Sequence, residues 1–444
     1  MRSLSEIPTF SSHISVNALR RIIYPDKIEV IVTMKIINIE AFPIYPQFAE
    51  RNQGKLVRFK QINHRTIVKI ETSNGITGYG DYRQAPPSKA EMERMVDRNP
   101  FDFMHNDLHM AIGGALFDVM GKHLEVPAYK LLGRKVRERV PVAAWSRPAP
   151  PDDLAREIQR ASAEGYRIFK MHTCEHYDVF EQNRAVEEVA PDGFSMQWDF
   201  NSNRDLATVL PIVKKLDTSR VVGFIEDPLV RSDVEGWRRL RAQAEVPIVM
   251  HVPVLGGLQE MVQGMADAFI VGEYCGGLGD AYARGLAYGK ANVQTVIQLT
   301  GGTLTKAMAM HLAAVLPTAG HSINLDDQYE EDVVAQRLEI VEGCSPVPEG
   351  PGLGVEVDER LLQALIGREA PEIPRHVGVL TLPQGHTMYT PSLPSVSQLT
   401  GFSEGTIRGL HFEVWEDDGS DAFARISRRL ASEGPFIETH RPTE

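Results

Sequence analysis

The chain has 444 residues, enough for two or more domains, and its composition, 43% hydrophobic and 24% charged, is ordinary for a soluble globular protein. A formal net charge of −12 argues against a chain built to neutralise nucleic-acid phosphates. Three cysteines, the lack of an apolar run of membrane-spanning length and the lack of a signal-peptide pattern together predict a protein of the reducing cytoplasm that binds neither nucleic acid nor membrane.

Residues 1–33 carry no clear pattern, and we interpret them as an N-terminal arm. Residues 34–139 predict a small α+β domain. An apolar run opens at Met34, and a hairpin follows within residues 66–80, where glycines permit a tight turn. Residues 89–133 then predict helices. Strands followed by helices are typical of an α+β arrangement.

Residues 140–330 show short apolar runs that alternate with amphipathic stretches. Eight runs start 21 to 28 residues apart, the length of one strand, one helix and their loops. Eight such units predict a closed (β/α)₈-type barrel. An open doubly wound sheet is the alternative, but no Gly-x-Gly-x-x-Gly follows the first run. The runs are Val140–Trp145, Arg167–His172, Ser195–Asn201, Val222–Pro228, Pro247–His251, Ala268–Glu273, Thr295–Leu299 and Ser322–Asp326.

Polar residues stand at the ends of these runs rather than at their starts. Asp199 and Glu226 close the third and fourth runs. In a parallel barrel these ends share one face, the face on which catalysis is found. Helix capping is the simpler explanation for a residue such as Asp205. It does not explain Lys170 and His172, which alternate within a strand and therefore point the same way.

Carboxylates brought together at this face would repel one another without a cation, and carboxylate oxygens are preferred ligands of Mg²⁺. A metal beside a lysine and a histidine favours a neutral base. This combination suits abstraction of a proton next to a carboxylate, with the metal stabilising the enediolate. An ion-pair network without catalysis is the alternative.

Several motifs, in this order and at these intervals, resemble the enolase superfamily, in the branch of mandelate racemase and muconate lactonising enzyme. The resemblance spans roughly residues 34–366. Its elements are Val68-Lys69-Ile70-Glu71 through Gly75-Ile76-Thr77-Gly78-Tyr79-Gly80-Asp81, Ala115 to Lys122, Val126-Pro127-Ala128-Tyr129-Lys130-Leu131-Leu132-Gly133, Ile225-Glu226-Asp227-Pro228 and Pro348-Glu349-Gly350-Pro351-Gly352-Leu353-Gly354.

The resemblance implies an α/β fold: a (β/α)₈-type barrel with an α+β capping domain, formed by residues 34–139 together with residues 331–367. It also implies a homo-oligomer and Mg²⁺-assisted enolisation of a small-molecule carboxylate. Carried over by position, Asp199 and Glu226 match metal ligands. His172 matches the catalytic base and Lys170 its supporting partner.

Two departures from the family pattern bear on the reaction. The fifth run offers no acid, so His251 is the nearest candidate for the third metal ligand. Because a nitrogen ligand is less usual for Mg²⁺, Mn²⁺ and Zn²⁺ are alternatives to Mg²⁺. Gln298 stands where the family has a histidine, and an amide is not a general base. We therefore expect a one-base lyase that dehydrates a sugar acid or a similar hydroxy acid. An epimerase, racemase or cycloisomerase, and a barrel that has lost catalysis but retains ligand binding, are the alternatives.

The remaining expectations concern substrate contacts and the end of the chain. We expect Asn201, Tyr82, Arg83 and Gln298 to contact the substrate. A separate zinc site at the alternating His172, Cys174 and His176 is disfavoured, because only His172 falls within the strand. Residues 368–444 form a C-terminal extension beyond the resemblance, with a strand predicted near residues 410–415 and a helix at residues 421–432.

Overall fold

The computed structural model describes residues 34–60, 62–105, 107–174, 176–202, 204–393 and 408–439. The predicted arm of residues 1–33 lies outside them. Contacts divide the chain into one unit of residues 1–34 and a second of residues 35–444. The elements below all belong to the second unit. None of the helices described is both long and apolar enough to cross a membrane.

The second unit begins with a three-stranded antiparallel sheet in the order β1-β2-β3. Its strands are β1 (Ile36–Ile44), β2 (Arg65–Thr72) and β3 (Thr77–Tyr82). The hairpin expected within residues 66–80 is thus present as β2 and β3. The helices of this region are α1 (Glu50–Gln53), α2 (Leu56–Phe59), α3 (Lys89–Glu93), α4 (Met110–Leu124) and α5 (Tyr129–Leu132), with a 3₁₀ helix at Pro100–Phe103.

The helical region predicted at residues 89–133 is thus divided into short pieces around α4. Pro100 begins the 3₁₀ helix and Pro127 lies between α4 and α5, and proline lacks the amide hydrogen that a continuing helix needs. Alternate glycines let α4 pack directly on β3. A Cβ on Gly80 would lie 1.9 Å from the carbonyl oxygen of Ala111, and one on Gly78 would lie 2.5 Å from Val119.

Eight parallel strands form the closed barrel that the sequence predicts. Consecutive strands pair from β4 to β11, and β11 pairs with β4 to close the ring. The strands are β4 (Arg139–Ser146), β5 (Ile168–His172), β6 (Ser195–Asp199), β7 (Val222–Glu226), β8 (Ile248–Met250), β9 (Ala268–Gly272), β10 (Gln294–Gln298) and β11 (Ala319–Ile323). The helices are α6 (Pro151–Ala163), α7 (Val179–Val189), α8 (Leu206–Leu216), α9 (Val234–Arg241), α10 (Leu258–Val262), α11 (Leu278–Lys290) and α12 (Thr303–Val315).

The eighth strand begins three residues earlier than the run predicted from Ser322. Thr295 of β10 already pairs with Ala319 in the parallel register, so the strand includes the weakly apolar Ala319-Gly320-His321. Asp326, predicted at the strand end, instead opens a 3₁₀ helix over Asp326–Gln328.

The segment after the barrel returns to the first sheet. It contains β12 (Cys344–Pro346), which pairs with β4, and α13 (Glu359–Leu365). Ile366 forms a bridge with Ile44, and the backbone amide of Leu353 donates to the Asp118 carboxylate in α4 (2.9 Å).

A buried ion-pair triad joins the first sheet to the barrel. Arg65 of β2 donates to Asp81 (2.6 Å) and to Asp332 (2.8 Å), and all three side chains are buried. The same carboxylates accept hydrogen bonds from the backbone amides of Gly302 (2.6 Å) and Thr303 (2.9 Å), at the start of α12. The triad therefore fixes the sheet against one end of the barrel.

The C-terminal extension folds into a four-stranded antiparallel sheet with one helix. The strand order is β15-β13-β14-β16. The elements are β13 (His376–Thr381), β14 (Thr387–Thr390), β15 (His411–Glu416), α14 (Asp421–Glu433) and β16 (Phe436–Glu438). The strand and helix predicted here are confirmed as β15 and α14. The extension packs on the loop after β5, where Tyr177 joins an apolar cluster with Leu380, Met388, Leu410 and Phe412.

Candidate active site

A cavity of about 210 Å³ opens at the C-terminal ends of the barrel strands. His172 ends β5, Asp199 ends β6 and Gln298 ends β10, while His251 follows β8 by one residue. All four line the cavity. Because these strands are parallel, residues far apart in sequence meet at one face, as the strand-end pattern predicts.

Two carboxylates and one imidazole form a buried cluster at the base of this face. Ligand atoms of Asp199, Glu226 and His251 all lie within 4.8 Å of one another. His251 Nδ1 lies 3.0 Å from Glu226 Oε1, and Gln197 Nε2 donates to Glu226 Oε2 (2.5 Å). The Nε2 atom of His251 is buried with no hydrogen-bond partner among the described residues. The donor set and this unsatisfied nitrogen fit a divalent cation.

Lys170 lies beneath the cluster and is fully buried. Its Nζ donates to Glu226 Oε1 (2.7 Å) and to Gln298 Oε1 (3.0 Å), and lies 3.2 Å from Asp199 Oδ2. Burial alone would lower the pKa of Lys170, but Glu226 and Asp199 outweigh it and raise the pKa. The lysine therefore stays charged. It does not line the cavity, because the two carboxylates hold it inward, so a direct contact with substrate is not what this geometry favours.

His172 faces the cavity in one tautomer. Its Nδ1 lies 2.8 Å from Asn201 Oδ1, and Asn201 Nδ2 donates to the Thr173 carbonyl (3.0 Å), which fixes the orientation of the amide. An amide oxygen only accepts, so Nδ1 carries the proton and Nε2 keeps its lone pair. Burial lowers the pKa of His172, with Asp199 opposing and Lys170 assisting. The geometry therefore gives a neutral imidazole with a free lone pair.

On the side of the cavity formed by β9 and β10, a chain of polar side chains links Gln298 to the first sheet. Gln298 Nε2 donates to Glu273 Oε2 (2.7 Å), and the other oxygen of Glu273 forms an ion pair with Arg83. Burial would raise the pKa of Glu273, but Arg83 outweighs it and lowers the pKa. Arg83 and Gln298 thus both line the cavity, and their contact with substrate stays a prediction.

Tyr82 does not line this cavity. It is buried, and it faces the packed space between α4 and the barrel, next to Met110 and Leu299. Neighbouring residues of a strand point to opposite faces, so the backbone that turns Arg83 toward the cavity turns Tyr82 away. A contact of Tyr82 with substrate therefore stays a prediction; with Arg83 and Glu273, Tyr82 lines a neighbouring cavity.

Other residues reach the cavity that were not singled out from the sequence. They include Trp145, Arg147, Asp227, Arg231, Glu273 and Tyr274. Asp227 and Glu273 were visible as polar ends of apolar runs. Trp145 lies within β4, whereas Arg147, Arg231 and Tyr274 lie beyond a strand, in loops whose direction the alternation of the strand does not determine.

The comparisons agree with this architecture. Residues 153–361 match the sequence family described as Enolase C-terminal domain-like. This match supports the resemblance to the enolase superfamily, in the branch of mandelate racemase and muconate lactonising enzyme, that the sequence motifs indicate.

Two curated relatives each match about two thirds of this chain. The D-gluconate dehydratase of Thermoproteus tenax is 27% identical over 347 residues, which is 68% of this chain and 69% of that protein. The D-galactonate dehydratase of Pectobacterium atrosepticum is 25% identical over 349 residues, which is 67% of this chain and 89% of that protein. The solved structure of the N-succinyl Arg/Lys racemase of Bacillus cereus shares the fold, with a TM-score of 0.64, 22% identity and coverage of 75% of this chain and 98% of that chain.

Proposed function

We propose that the protein is a metal-dependent lyase that removes water from a sugar acid or a similar hydroxy acid. The observation that carries the proposal is His172, which lines a cavity beside the cluster of Asp199, Glu226 and His251 and whose Nδ1 is held by Asn201, so that Nε2 keeps its lone pair. A base next to a cation site is the arrangement that removal of a proton next to a carboxylate needs. The two dehydratase relatives support this reading.

Asp199, Glu226 and His251 would hold the cation, with Mg²⁺ the ion that the superfamily favours and Mn²⁺ or Zn²⁺ suited to the imidazole. When bound, the cation supplies Lewis-acid polarisation of the substrate carboxylate. The Lys170 ammonium group contacts both ligand carboxylates, Asp199 and Glu226, from below. Its positive charge offsets part of the repulsion between them that would otherwise oppose assembly of the metal site. Lys170 is a positioning residue in this account.

His172 carries the proton transfers. Its Nε2 takes the proton from the carbon next to the carboxylate, and the imidazole becomes an imidazolium. As the C–O bond of the neighbouring hydroxyl breaks, the imidazolium returns a proton to the leaving oxygen, and water departs. A carbon–carbon double bond forms between the two centres, and the enol rearranges to the keto acid. Asn201 holds the ring in the tautomer that this sequence of steps requires.

Epimerisation is the second candidate, since one structural neighbour is a racemase. It needs a second base on the opposite face of the substrate carbon. Gln298 hydrogen-bonds to Lys170 and Glu273 and has no basic atom, and Arg83 depresses the pKa of Glu273. Both observations favour dehydration.

The experiment is a panel of aldonic and aldaric acids, incubated with metal-loaded and with chelator-treated protein. Mass spectrometry should find an acid that loses one water to give a 2-keto-3-deoxy product, only when metal is present. Recovery of an epimer without water loss would favour the second candidate, and no reaction with any acid would count against both.

The setting of the enzyme is also part of the proposal. We propose a cytoplasmic homo-oligomer, because the chain has three free cysteines and because the superfamily resemblance implies assembly. Sedimentation at micromolar concentration distinguishes an oligomer from a monomer.

A further inference from the structure

A second cavity of about 260 Å³ adjoins the active site. The two cavities share Arg147, His172 and Asn201 in their walls, so the second lies directly beside the space that His172 lines. Leu393 of the C-terminal extension lines its outer side. The second cavity is therefore built by the first sheet region, the barrel and the extension together.

The wall of this second cavity is cationic. Arg58 of α2, Lys60 just after α2 and Arg147 just after β4 all line the cavity. Among the described residues, no carboxylate lines it. Lys60 is exposed and has no ion pair within the described part of the chain. Arg58 and Lys55 both form ion pairs with Asp153, which does not line this cavity. Three positive side chains thus surround one space.

The first cavity has a different balance of charge. There, Arg83 forms an ion pair with Glu273, and Arg231 forms an ion pair with Asp227 (2.5 Å). Arg147 lies over the ring of Trp145, with 5.2 Å from its guanidinium carbon to the ring centroid. Burial and the neighbouring Arg83 lower the pKa of Arg147 to about 10. An anion bound between Arg147 and Lys60 would relieve this crowding of positive charge.

The neutral polar groups of the wall also suit an acceptor-rich ligand. His176 is buried in the wall, and its Nδ1 has no hydrogen-bond partner within the described residues. Its pKa is lowered to about 3 by burial and by Arg58, so the ring is neutral and can donate one hydrogen bond. The unsatisfied nitrogen is a second observation, independent of charge, that points to a ligand in this space.

We propose that the second cavity binds a second anionic group, a carboxylate or a phosphate, at the far end of the substrate. The inference rests on the proposed function and deepens it: the substrate is a dianion whose first carboxylate lies at the metal cluster and whose other end passes His172 to reach Arg147 and Lys60. The named substrates of the two dehydratase relatives, gluconate and galactonate, carry a single carboxylate. The positive charge of the cavity wall distinguishes a dianionic substrate from these monoanionic ones.

The test measures equilibrium binding to the metal-loaded full-length protein by calorimetry, so that it does not depend on turnover. Matched acids differ in one end group: D-gluconate, D-glucarate and 6-phospho-D-gluconate. A charge-assisted hydrogen bond at the far end should make at least one dianion bind about 10- to 100-fold more tightly than gluconate. Preference for glucarate identifies a carboxylate site, and preference for the phosphorylated acid identifies a phosphate site.

Lys60→Ala and Arg58→Ala should lower affinity for the preferred dianion far more than affinity for gluconate. Arg239→Ala, an exposed arginine of α9, is the matched control and should change neither. Thermal unfolding of each variant checks that the fold is retained. A dianion that binds no more tightly than gluconate, or absence of dianion binding, overturns the inference. An equal loss of binding affinity for gluconate and for the dianion in Lys60→Ala also overturns it.

The two proposals fail separately. If gluconate loses water and a second anionic group does not raise the binding affinity, the proposed function stands and the inference is wrong. Lys60-dependent binding of a dianion that never loses water supports the anion site and counts against the lyase.

Discussion

At the scale of single residues, the tautomer of His172 decides which nitrogen does the chemistry. Asn201 sets it through a 2.8 Å contact, and Asn201 itself sits at a positive φ of 56°, a conformation that asparagine tolerates better than most residues. The side chain and the backbone conformation of Asn201 thus together orient the imidazole of His172. The sequence predicted Asn201 as a substrate contact but did not predict this contact with His172.

A pair of substitutions at Asn201 separates these two contributions. Asn201→Gly accepts the positive φ without strain but removes the acceptor, so activity should fall about 10- to 100-fold, as for other residues that orient a functional ring. Asn201→Asp keeps an oxygen opposite Nδ1 and should retain more activity. The measurement is kcat on the acid identified by the panel. Equal activity in Asn201→Gly and the wild type would show that the contact does not orient the base.

The metal cluster makes a second prediction at this scale. Asp199→Asn and Glu226→Gln keep the shape of each side chain but remove one ligand charge, so both should lower metal affinity by 10-fold or more, which is about 1.4 kcal/mol. Calorimetry with Mg²⁺ and Mn²⁺ measures this directly. Asp192→Asn, at an exposed position, is the control. Unchanged affinity in both cluster variants would place the cation elsewhere.

At the scale of elements, the strand ends were predictable and the loops were not. Alternation along β5 placed Lys170 and His172 on one face, and both indeed reach Asp199. The inward position of Lys170 was not predictable, because it depends on a carboxylate from another strand. Arg147 was missed for a similar reason, since it lies beyond the end of β4.

The Arg65 triad supplies the prediction for elements. Arg65→Met removes the only cation that contacts both buried carboxylates of the triad, Asp81 and Asp332, among the described residues. Leaving buried charges unpaired costs about 3–5 kcal/mol. Urea unfolding should therefore show a loss of this order. Arg98→Met, which breaks the exposed pair with Asp102, should cost about 1 kcal/mol or less. Similar losses in the two variants would contradict a structural role for the triad.

At the scale of the whole molecule, the C-terminal extension was foreseen only in part. The sequence predicted β15 and α14, but not β13, β14 and β16, which complete the sheet. β14 and β16 have only four and three residues and give a weak signal, and the pairing of strands is set by tertiary contact. The contact of the extension with the loop after β5 was left open by the sequence, and the structure places Phe412 against His176 and Tyr177 there.

Phe412→Ala should loosen this contact. The side chain is fully buried, and truncation of a buried phenylalanine costs about 3–5 kcal/mol. Hydrogen exchange should rise in both partners, at the amides of residues 176–182 and of β13 and β15. Phe423→Ala, which empties the extension's own core, is the comparison and should affect mainly the extension. Exchange that stays unchanged at residues 176–182 in Phe412→Ala would contradict the docking.

The central claim is that His172 removes a proton next to a carboxylate, and the most direct measurement is exchange of that proton with solvent deuterium. The wild-type protein, loaded with metal in deuterated water, should incorporate deuterium at this carbon or lose the proton as water departs. His172→Ala should slow proton removal by about 10²- to 10⁴-fold while it retains metal and ligand binding. Proton removal at the wild-type rate in His172→Ala would contradict the account.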